Sequence, residues 1–401
     1  MKPSSETSTN TEPGAPPPTL TWLEAGEAQH ARWLSESDAR PPARVVVVDD
    51  SLKADDAFRL ANEGTAMLWR GDYHNARQLL AAVARRIATR ATRAGRRSRR
   101  PKDAAAEDPA ANFHRHRLAQ SQRARTLAML LLPVDANYRI PLPRAPEAAA
   151  ACEAAWGPLT EPAVIPMRAV LGAIGAYEWQ TRGVDVPALG ARIHPRYGVF
   201  SPVRGEYLDL IAQAPLPPGA TRRAFDIGTG TGVIAALLAR RGIEEVVATD
   251  LDPRALACAA ANLERLGYAG RVRMQATDLF PDGVAPLVVC NPPWLPARPT
   301  TAIEAAIYDP DSRMLRGFLQ GLGTHLAADG EAWLILSDLA EHLGLRDRDS
   351  LLQLFADAGL EVAGRLDTRP THRKTTDTDD ALHAARARET TSLWRLRRRT
   401  G

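Results

Sequence analysis

From about Arg192 onward, short apolar runs and helical patterns take turns along the chain. "RAFDIGT", "EEVVATD", "RVRMQATD", "PLVVCN", "EAWLILS" and "EVAGRLD" read as strands. Between them, "TGVIAALLARRG", "PRALACAAANLERLG", "SRMLRGFLQGLGTHLA" and "DSLLQLFADAGL" carry helical patterns. Strand alternating with helix at this spacing predicts an α/β fold with a mostly parallel, doubly wound sheet. A last β-rich run, Thr391–Arg399, follows a polar stretch over 371–389. That order permits a closing antiparallel hairpin with the polar stretch inserted in it, as a lid or as a solvated helix.

Residues 20–190 carry a different pattern. Ala-rich helical stretches dominate, with proline breaks at Pro133, Pro141 and Pro143 and one β-rich run at Arg44–Asp50. The expectation is a mainly helical N-terminal domain, with substrate recognition as its candidate role, ahead of a catalytic domain over 191–401. Residues 1–19 are polar and proline-rich, expected as a disordered tail, and lack the apolar segment of a signal peptide. Arg70–Gly71–Asp72 reads as a turn. A basic linker lies near 85–110, where Arg85–Lys102 holds a run of arginines and no acid. It reads equally as a solvated helix end or as an arm attracting phosphate. His114 and His116, two apart, face different sides of a helix and argue against a shared metal.

Composition changes little. The 401 residues are 45% hydrophobic and 24% charged, as in a soluble globular protein, and a net charge of +4 leaves the partner open. Cys152, Cys258 and Cys290 lie far apart with no C-x-x-C pair. That speaks against a disulfide framework or a zinc knuckle and fits a reducing cytoplasm. No stretch approaches the roughly 18 apolar residues of a membrane span.

The candidate chemistry sits at the strand tips. "DIGTGTG" places Gly228, Gly230 and Gly232 between a strand and a helix, where backbone N–H groups point at a ligand. A dinucleotide fingerprint read from Gly228 fails at Val233, and read from Gly230 it passes weakly at Ala235. Asp226 ends the strand, and a carboxylate there suits a cationic ligand better than a pyrophosphate. Asp250-Leu251 ends the second strand, 22 residues past Gly228, placed to accept from ribose hydroxyls. Asp278-Leu279 ends the third; Asp278 suits an adenine amino group, or equally a turn or helix cap. Asp252, before Pro253, reads as a helix cap.

The fourth strand ends in "VVCNPPWLP". A planar amine or amide nitrogen is a poor nucleophile, because its lone pair is delocalised. Activating it takes acceptors for its N–H hydrogens. The side chain of Asn291 and the carbonyl of Pro292 offer two. Pro292 and Pro293 fix the backbone and remove competing donors. Trp294 can stack on a flat π-system, worth about 1–3 kcal/mol for a base. Strand alternation points Cys290 away from Asn291.

Taken together, "DIGTGTG", the acid at Asp250, "TDL" and "VVCNPPW" resemble the Rossmann-like S-adenosylmethionine-dependent methyltransferases that carry Asn/Asp-Pro-Pro-aromatic. Members of that class methylate the amino nitrogen of adenine, or the glutamine amide of release factors and ribosomal proteins. "YGVFSPVRGEYLDLI" (Tyr197–Ile211) is similar to the element before the glycine turn in the glutamine enzymes. Arg204 and Glu206 fall on their Pro-Arg-x-Glu pattern, with Val203 intervening. The resemblance covers about 190–400 and implies a seven-stranded sheet ending in a reversed hairpin. It implies S-adenosyl-L-methionine as cofactor, its amino-acid end at Asp226, Gly228, Gly230 and Gly232, its ribose at Asp250-Leu251 and its adenine at Asp278-Leu279. Asn291 to Trp294 then hold the target nitrogen, which attacks the sulfonium methyl in line as the S–C bond breaks and S-adenosylhomocysteine leaves with a neutral sulfur, without a covalent enzyme intermediate. Trp294 stands where the glutamine enzymes favour tyrosine. Residues 1–190 exceed the small helical domain of the release-factor enzymes.

The implied partner is a macromolecule, either RNA or DNA or a translation protein, met in the cytoplasm. The arginine arm and "WRLRRR" favour a ribosomal or nucleic-acid setting. Two other readings stay open. An NAD(P)-dependent oxidoreductase would rest on Gly230, Gly232, Ala235 and Asp250 and leave Asn-Pro-Pro-Trp unexplained. A non-catalytic nucleic-acid-binding module would carry a vestigial methyltransferase fold, against which the intact Asp226, glycines, Asp250 and Asn291 argue.

Overall fold

The computed structural model describes residues 17–36, 39–98, 108–201, 205–299, 303–370 and 382–399. The expected tail up to residue 16, the linker over 99–107, Val203 with Arg204, and the insert over 371–381 lie outside them. The chain forms two compact units, one running to Ala94 and resuming over Arg123–Leu171, the other made of Gly95–Gln122 and the chain from Gly172 onward. The boundary expected at 190/191 therefore moves. Residues 172–190 join the second unit because Gln180 and His194 are hydrogen-bonded and the backbone at Gly183 packs on His194.

The first unit is built on a six-stranded sheet that the helical expectation omitted. Its strands are β1 (Thr19–Glu24), β2 (Glu27–Trp33), β3 (Arg44–Val48), β4 (Thr65–Trp69), β5 (Leu130–Val134) and β6 (Ala163–Pro166), in the order β1-β2-β6-β5-β4-β3. Helix still outnumbers strand across 20–190, through α1 (Ala54–Asn62), α2 (Tyr73–Ser98), α3 (Pro109–Leu127), α4 (Ala149–Trp156) and α5 (Met167–Arg182). Strands β1 and β2 turn on Ala25 and Gly26 at φ 53° and 84°, a tight hairpin made without the usual Asn-Gly signal. Strand β4, "TAMLW", is buried at every position and so shows no alternation. Pro133 lies inside β5, past Leu130 and Leu131, the two residues that pair with β4. The Arg-Gly-Asp turn is structural. Asp72 accepts from the N–H groups of His74 and Asn75 at the start of α2 and from Arg144, while Arg70 pairs with Glu24.

The second unit carries the predicted α/β sheet. After a hairpin of β7 (Val184–Val186) and β8 (Ala191–Ile193) come α6 (Glu206–Gln213), β9 (Arg223–Ile227), α7 (Val233–Arg240), β10 (Glu245–Asp250) and α8 (Pro253–Arg265). Then follow β11 (Val272–Ala276), β12 (Ala285–Cys290), α9 (Arg313–His325), β13 (Leu326–Ser337), α10 (Leu339–His342), α11 (Arg348–Asp357) and β14 (Leu360–Thr368). The chain closes with α12 (His383–Arg386) and β15 (Thr391–Arg398). Strand order is β11-β10-β9-β12-β13-β15-β14, parallel except for β15, which runs antiparallel to both neighbours. All seven strands read from the apolar runs are present, and the reversed hairpin closes the sheet. Alternation holds on β12. Leu287 and Val289 enter the core on one face, and Val288 and Cys290 the core on the other.

The strand order reverses at β9, with β10 on one side and β12 on the other. Register places Thr249, Ile227 and Cys290 side by side, so Asp250, Gly228 and Asn291 are each one residue beyond that line. Open α/β sheets bind ligands in this crevice.

Two charge readings change. Arg395 pairs with Glu331, Arg397 with Glu361, and Arg398 donates to the Gly323 and Leu326 carbonyls. In the arginine arm, Arg86 pairs with Asp55 and Arg90 lies over the Phe58 ring. These arginines have partners within the fold, while the side chains of the rest of the arm, 91–102, lie outside the described residues. The part of the insert that is described is packed: Leu382 and Ala385 are buried with Leu295, Leu339 and Phe113.

Phe113, on α3, is fully buried in that cluster of the second unit. Phe113→Ala should destabilise this unit by about 3–5 kcal/mol, read as a lowered denaturant midpoint; an unchanged midpoint would show that α3 adds nothing to it.

Candidate active site

The glycine turn is shaped from both sides. Gly228, Gly230 and Gly232 all have positive φ, at 73°, 55° and 78°. A side chain at Gly232 would press on the Ala259 backbone of α8, its Cβ 3.1 Å from Cα, so only glycine lets α7 start there. Beside Gly230 a Cβ would meet nothing within 4 Å, which leaves open space along the turn. The N–H of Gly230 donates to Asp250 at 3.0 Å, and Asn262, buried on α8, donates to the Thr231 carbonyl at 3.0 Å.

Asp226 is fully buried. Its Oδ2 accepts from the Thr229 hydroxyl at 2.6 Å and from the Ala235 N–H at 3.1 Å, while Oδ1 is buried without a partner. Burial, aided by the Asp250 carboxylate, pushes its pKa up to about 7 against those hydrogen bonds. An orphaned carboxylate oxygen in this place calls for a cation or a donor. Asp250 is also raised, by burial first and by Asp252, against N–H donors at Asp252 and Gly230. Leu251 beside it is 60% exposed, an apolar surface at the strand tip. Asp252 caps α8 as expected, accepting from the Arg254 N–H at 2.9 Å. Asp278 caps no helix; it forms an ion pair with Arg313. Leu279 adopts φ 66°, and its carbonyl accepts from the Thr249 hydroxyl at 2.6 Å. The orphan oxygen, the open glycine edge and the exposed leucine fit S-adenosylmethionine.

Across the crevice, the Trp294 indole N–H donates to Asn291 Oδ1 at 2.9 Å, and Tyr207 is buried. One lone pair of the Asn291 oxygen holds the tryptophan and the other remains. Pro292 is buried, and Pro293 and Trp294 are half-buried. The chain then folds back on itself, with Leu295 N–H bonded to the Ile307 carbonyl and Asp309 N–H to the Leu295 carbonyl. Asp309, buried, accepts from the N–H groups of Met314 and Leu315 and so anchors α9, whose Met314 methyl lies over Gly228. Asp311 and Ser312, at φ 55° and 54°, are consecutive left-handed non-glycine residues in that corner.

Residues 191–356 match the methyltransferase small domain. The release factor glutamine methyltransferase of Cereibacter sphaeroides is 34% identical over 243 residues, covering 59% of this chain and 78% of that protein. This chain belongs to the methyltransferase small-domain family. It is an S-adenosylmethionine-dependent N-methyltransferase, which decides against the oxidoreductase and vestigial readings. The tRNA1(Val) (adenine(37)-N6)-methyltransferase of Pedobacter heparinus is 30% identical over 135 residues, 30% of this chain and 58% of that protein. The ribosomal protein L11 methyltransferase of Pelotomaculum thermopropionicum is 47% identical over 76 residues, and this chain spans 24% of its length. Among solved structures, the methyltransferase of Thiobacillus denitrificans in complex with S-adenosyl-L-homocysteine is 18% identical with a TM-score of 0.35, over 50% of this chain and 92% of that one.

In this methyltransferase the fold brings together the glycine turn, Asp226, Asp250 and Asn291 as predicted. Tyr207, Asn262, Asp309 and Met314 were not singled out from sequence. Tyr207 lies within the Tyr197–Ile211 segment and offered the one usable signal. Among the described residues, no group of His, Cys, Asp and Glu could hold a metal ion, and no helix is long and apolar enough to cross a membrane.

An ionised Asp226 favours an ammonium group such as the one on the amino-acid end of S-adenosylmethionine and S-adenosylhomocysteine, and a protonated one does not. S-adenosylhomocysteine affinity should therefore fall as pH drops through about 7, to roughly a tenth at one unit below. Calorimetry between pH 6 and 8 checks this. Asp226→Asn should bind weakly and flatten the profile; a flat profile in the native protein would contradict the assignment.

Proposed function

We propose that this enzyme methylates the side-chain amide of a glutamine in a translation protein, in the cytoplasm. The observation that supports a planar nitrogen best is the fixed Asn291 carboxamide, one residue past β12 and level with Gly228 across the switch point. Glutamine rather than adenine is favoured by the 243-residue likeness to a glutamine methyltransferase and by the pairing of the arginines on β15. Adenine remains the second reading, because the tRNA enzyme of Pedobacter heparinus is 30% identical over 135 residues.

S-adenosylmethionine, when bound, supplies an electrophilic methyl group on a sulfonium centre. The chain does the rest by position. Asp226 and the glycine turn receive the cationic amino-acid end, Asp250 the ribose, and Leu251 and Leu279 the flat base. Asp278, paired with Arg313, closes the adenine side. The remaining lone pair of Asn291 and the carbonyl of Pro292 accept the two N–H hydrogens of the target. Both oxygens are set before reaction, so they stabilise the positive charge that grows on nitrogen without reorganising. Pro292 and Pro293 hold these acceptors still, and Trp294, tied to Asn291 by its own N–H, is the flat wall against the amide plane.

Asn291→Ala should cut methyl transfer by roughly 10²–10³-fold and leave S-adenosylhomocysteine affinity within about twofold. The assay is tritiated-methyl transfer to fractionated lysate with protease and RNase arms. Protease-sensitive label on glutamine supports the proposal. RNase-sensitive label selects adenine, label confined to small molecules contradicts a macromolecular acceptor, and full activity in the variant removes Asn291 from the reaction.

A further inference from the structure

Arg117 lies on α3, outside the 191–356 stretch that matches the family. It nevertheless contacts the chain leading away from the Asn-Pro-Pro-Trp corner. Nη1 donates to Glu304 Oε1 at 2.9 Å, and Nη2 donates to Glu304 Oε2 at 3.1 Å and to the Arg298 carbonyl at 2.9 Å. The guanidinium also lies 3.9 Å from the centre of the Tyr308 ring. The ion pair is largely withdrawn from solvent, with Arg117 13% and Glu304 23% exposed. Arg298 belongs to the stretch leaving the corner, and Glu304 and Tyr308 to the stretch returning to Leu295 and Asp309.

We propose that Arg117 is a positioning residue for the acceptor side of the site: it joins the outgoing stretch 295–299 to the returning stretch 303–309 and so fixes the wall beside Trp294. This rests on the reading of Asn291–Trp294 as the acceptor corner. The backbone bonds between Leu295 and residues 307 and 309 close the base of this excursion. Arg117 ties together points further out. Phe113, one helical turn earlier on the same face of α3, is buried against Leu295 and Leu339 and sets the depth of the arginine. The contact set suits arginine and no other side chain, since a planar fork, a further N–H given to a carbonyl and a flat cation over a ring are all used at once. A lysine could keep the charge and would lose the fork.

The test compares native protein with Arg117→Ala and Glu304→Gln by hydrogen exchange, by calorimetry with S-adenosylhomocysteine and by methyl transfer. Arg117→Ala should speed exchange over 295–299 and 303–309 at least tenfold and leave 223–250 within about twofold. S-adenosylhomocysteine affinity should stay within about twofold, while kcat/KM for the acceptor falls at least tenfold with KM rising. Glu304→Gln should move every readout in the same direction and carries the test if Arg117→Ala does not fold. Unchanged exchange, unchanged transfer despite faster exchange, or cofactor affinity lost in step with turnover would each overturn the proposal. If native protein labels no macromolecule, the acceptor reading fails, and exchange still decides whether the clamp exists.

Discussion

Asp226 is a carboxylate taken out of water and given hydrogen-bond donors on one oxygen only. Leaving the other oxygen orphaned is costly, since a buried unsatisfied polar group costs about 1–3 kcal/mol. The fold tolerates it at the tip of the central strand, where a ligand can supply what is missing. The surroundings are organised around that tip. The strand order reverses beside it, the glycine turn opens over it, and Asp250 is drawn in by the Gly230 N–H. Stability is surrendered at the point where a donor molecule is to be held, as expected of pre-organised sites.

The acceptor side follows the same logic with neutral groups. Asn291 is held through Trp294, and the chain beyond it is closed by backbone bonds, by Asp309 and by Arg117. Donor and acceptor halves are fastened to one register line of parallel strands, so the distance between them is a property of the sheet rather than of a loop. That is an economical way to orient two reactants. Cys290, next to Asn291 in sequence, faces the opposite core, and burial raises its thiol well above the ordinary range.

The catalytic half was legible in the sequence because its signals are local. Strands β9, β10 and β12 are apolar runs ending in distinctive tips, and parallel sheets write such runs plainly. The N-terminal sheet was not legible. Strand β4 is buried throughout and reads like a helix segment, the β1–β2 turn uses Ala25 where Asn is the usual cue, and Pro133 looked like a break though it sits beyond the β4 pairing. The site showed the same division. Residues at strand tips were found; those that act through space were not. Nothing in the spacing of Arg117 and Glu304, 187 residues apart, announces their contact. Charge is a further case: a count along the sequence shows no pairing, and in the fold Arg86, Arg395 and Arg397 are paired with Asp55, Glu331 and Glu361.

The central claim is that the tip of β9 is built for the cationic amino-acid end of a methyl donor and not for a pyrophosphate. The most direct measurement is calorimetry of the full chain, titrated in parallel with S-adenosylhomocysteine and with NAD at neutral pH. The account predicts saturable one-to-one binding of S-adenosylhomocysteine and no heat of binding from NAD. Binding of NAD without S-adenosylhomocysteine, or of neither, would contradict it.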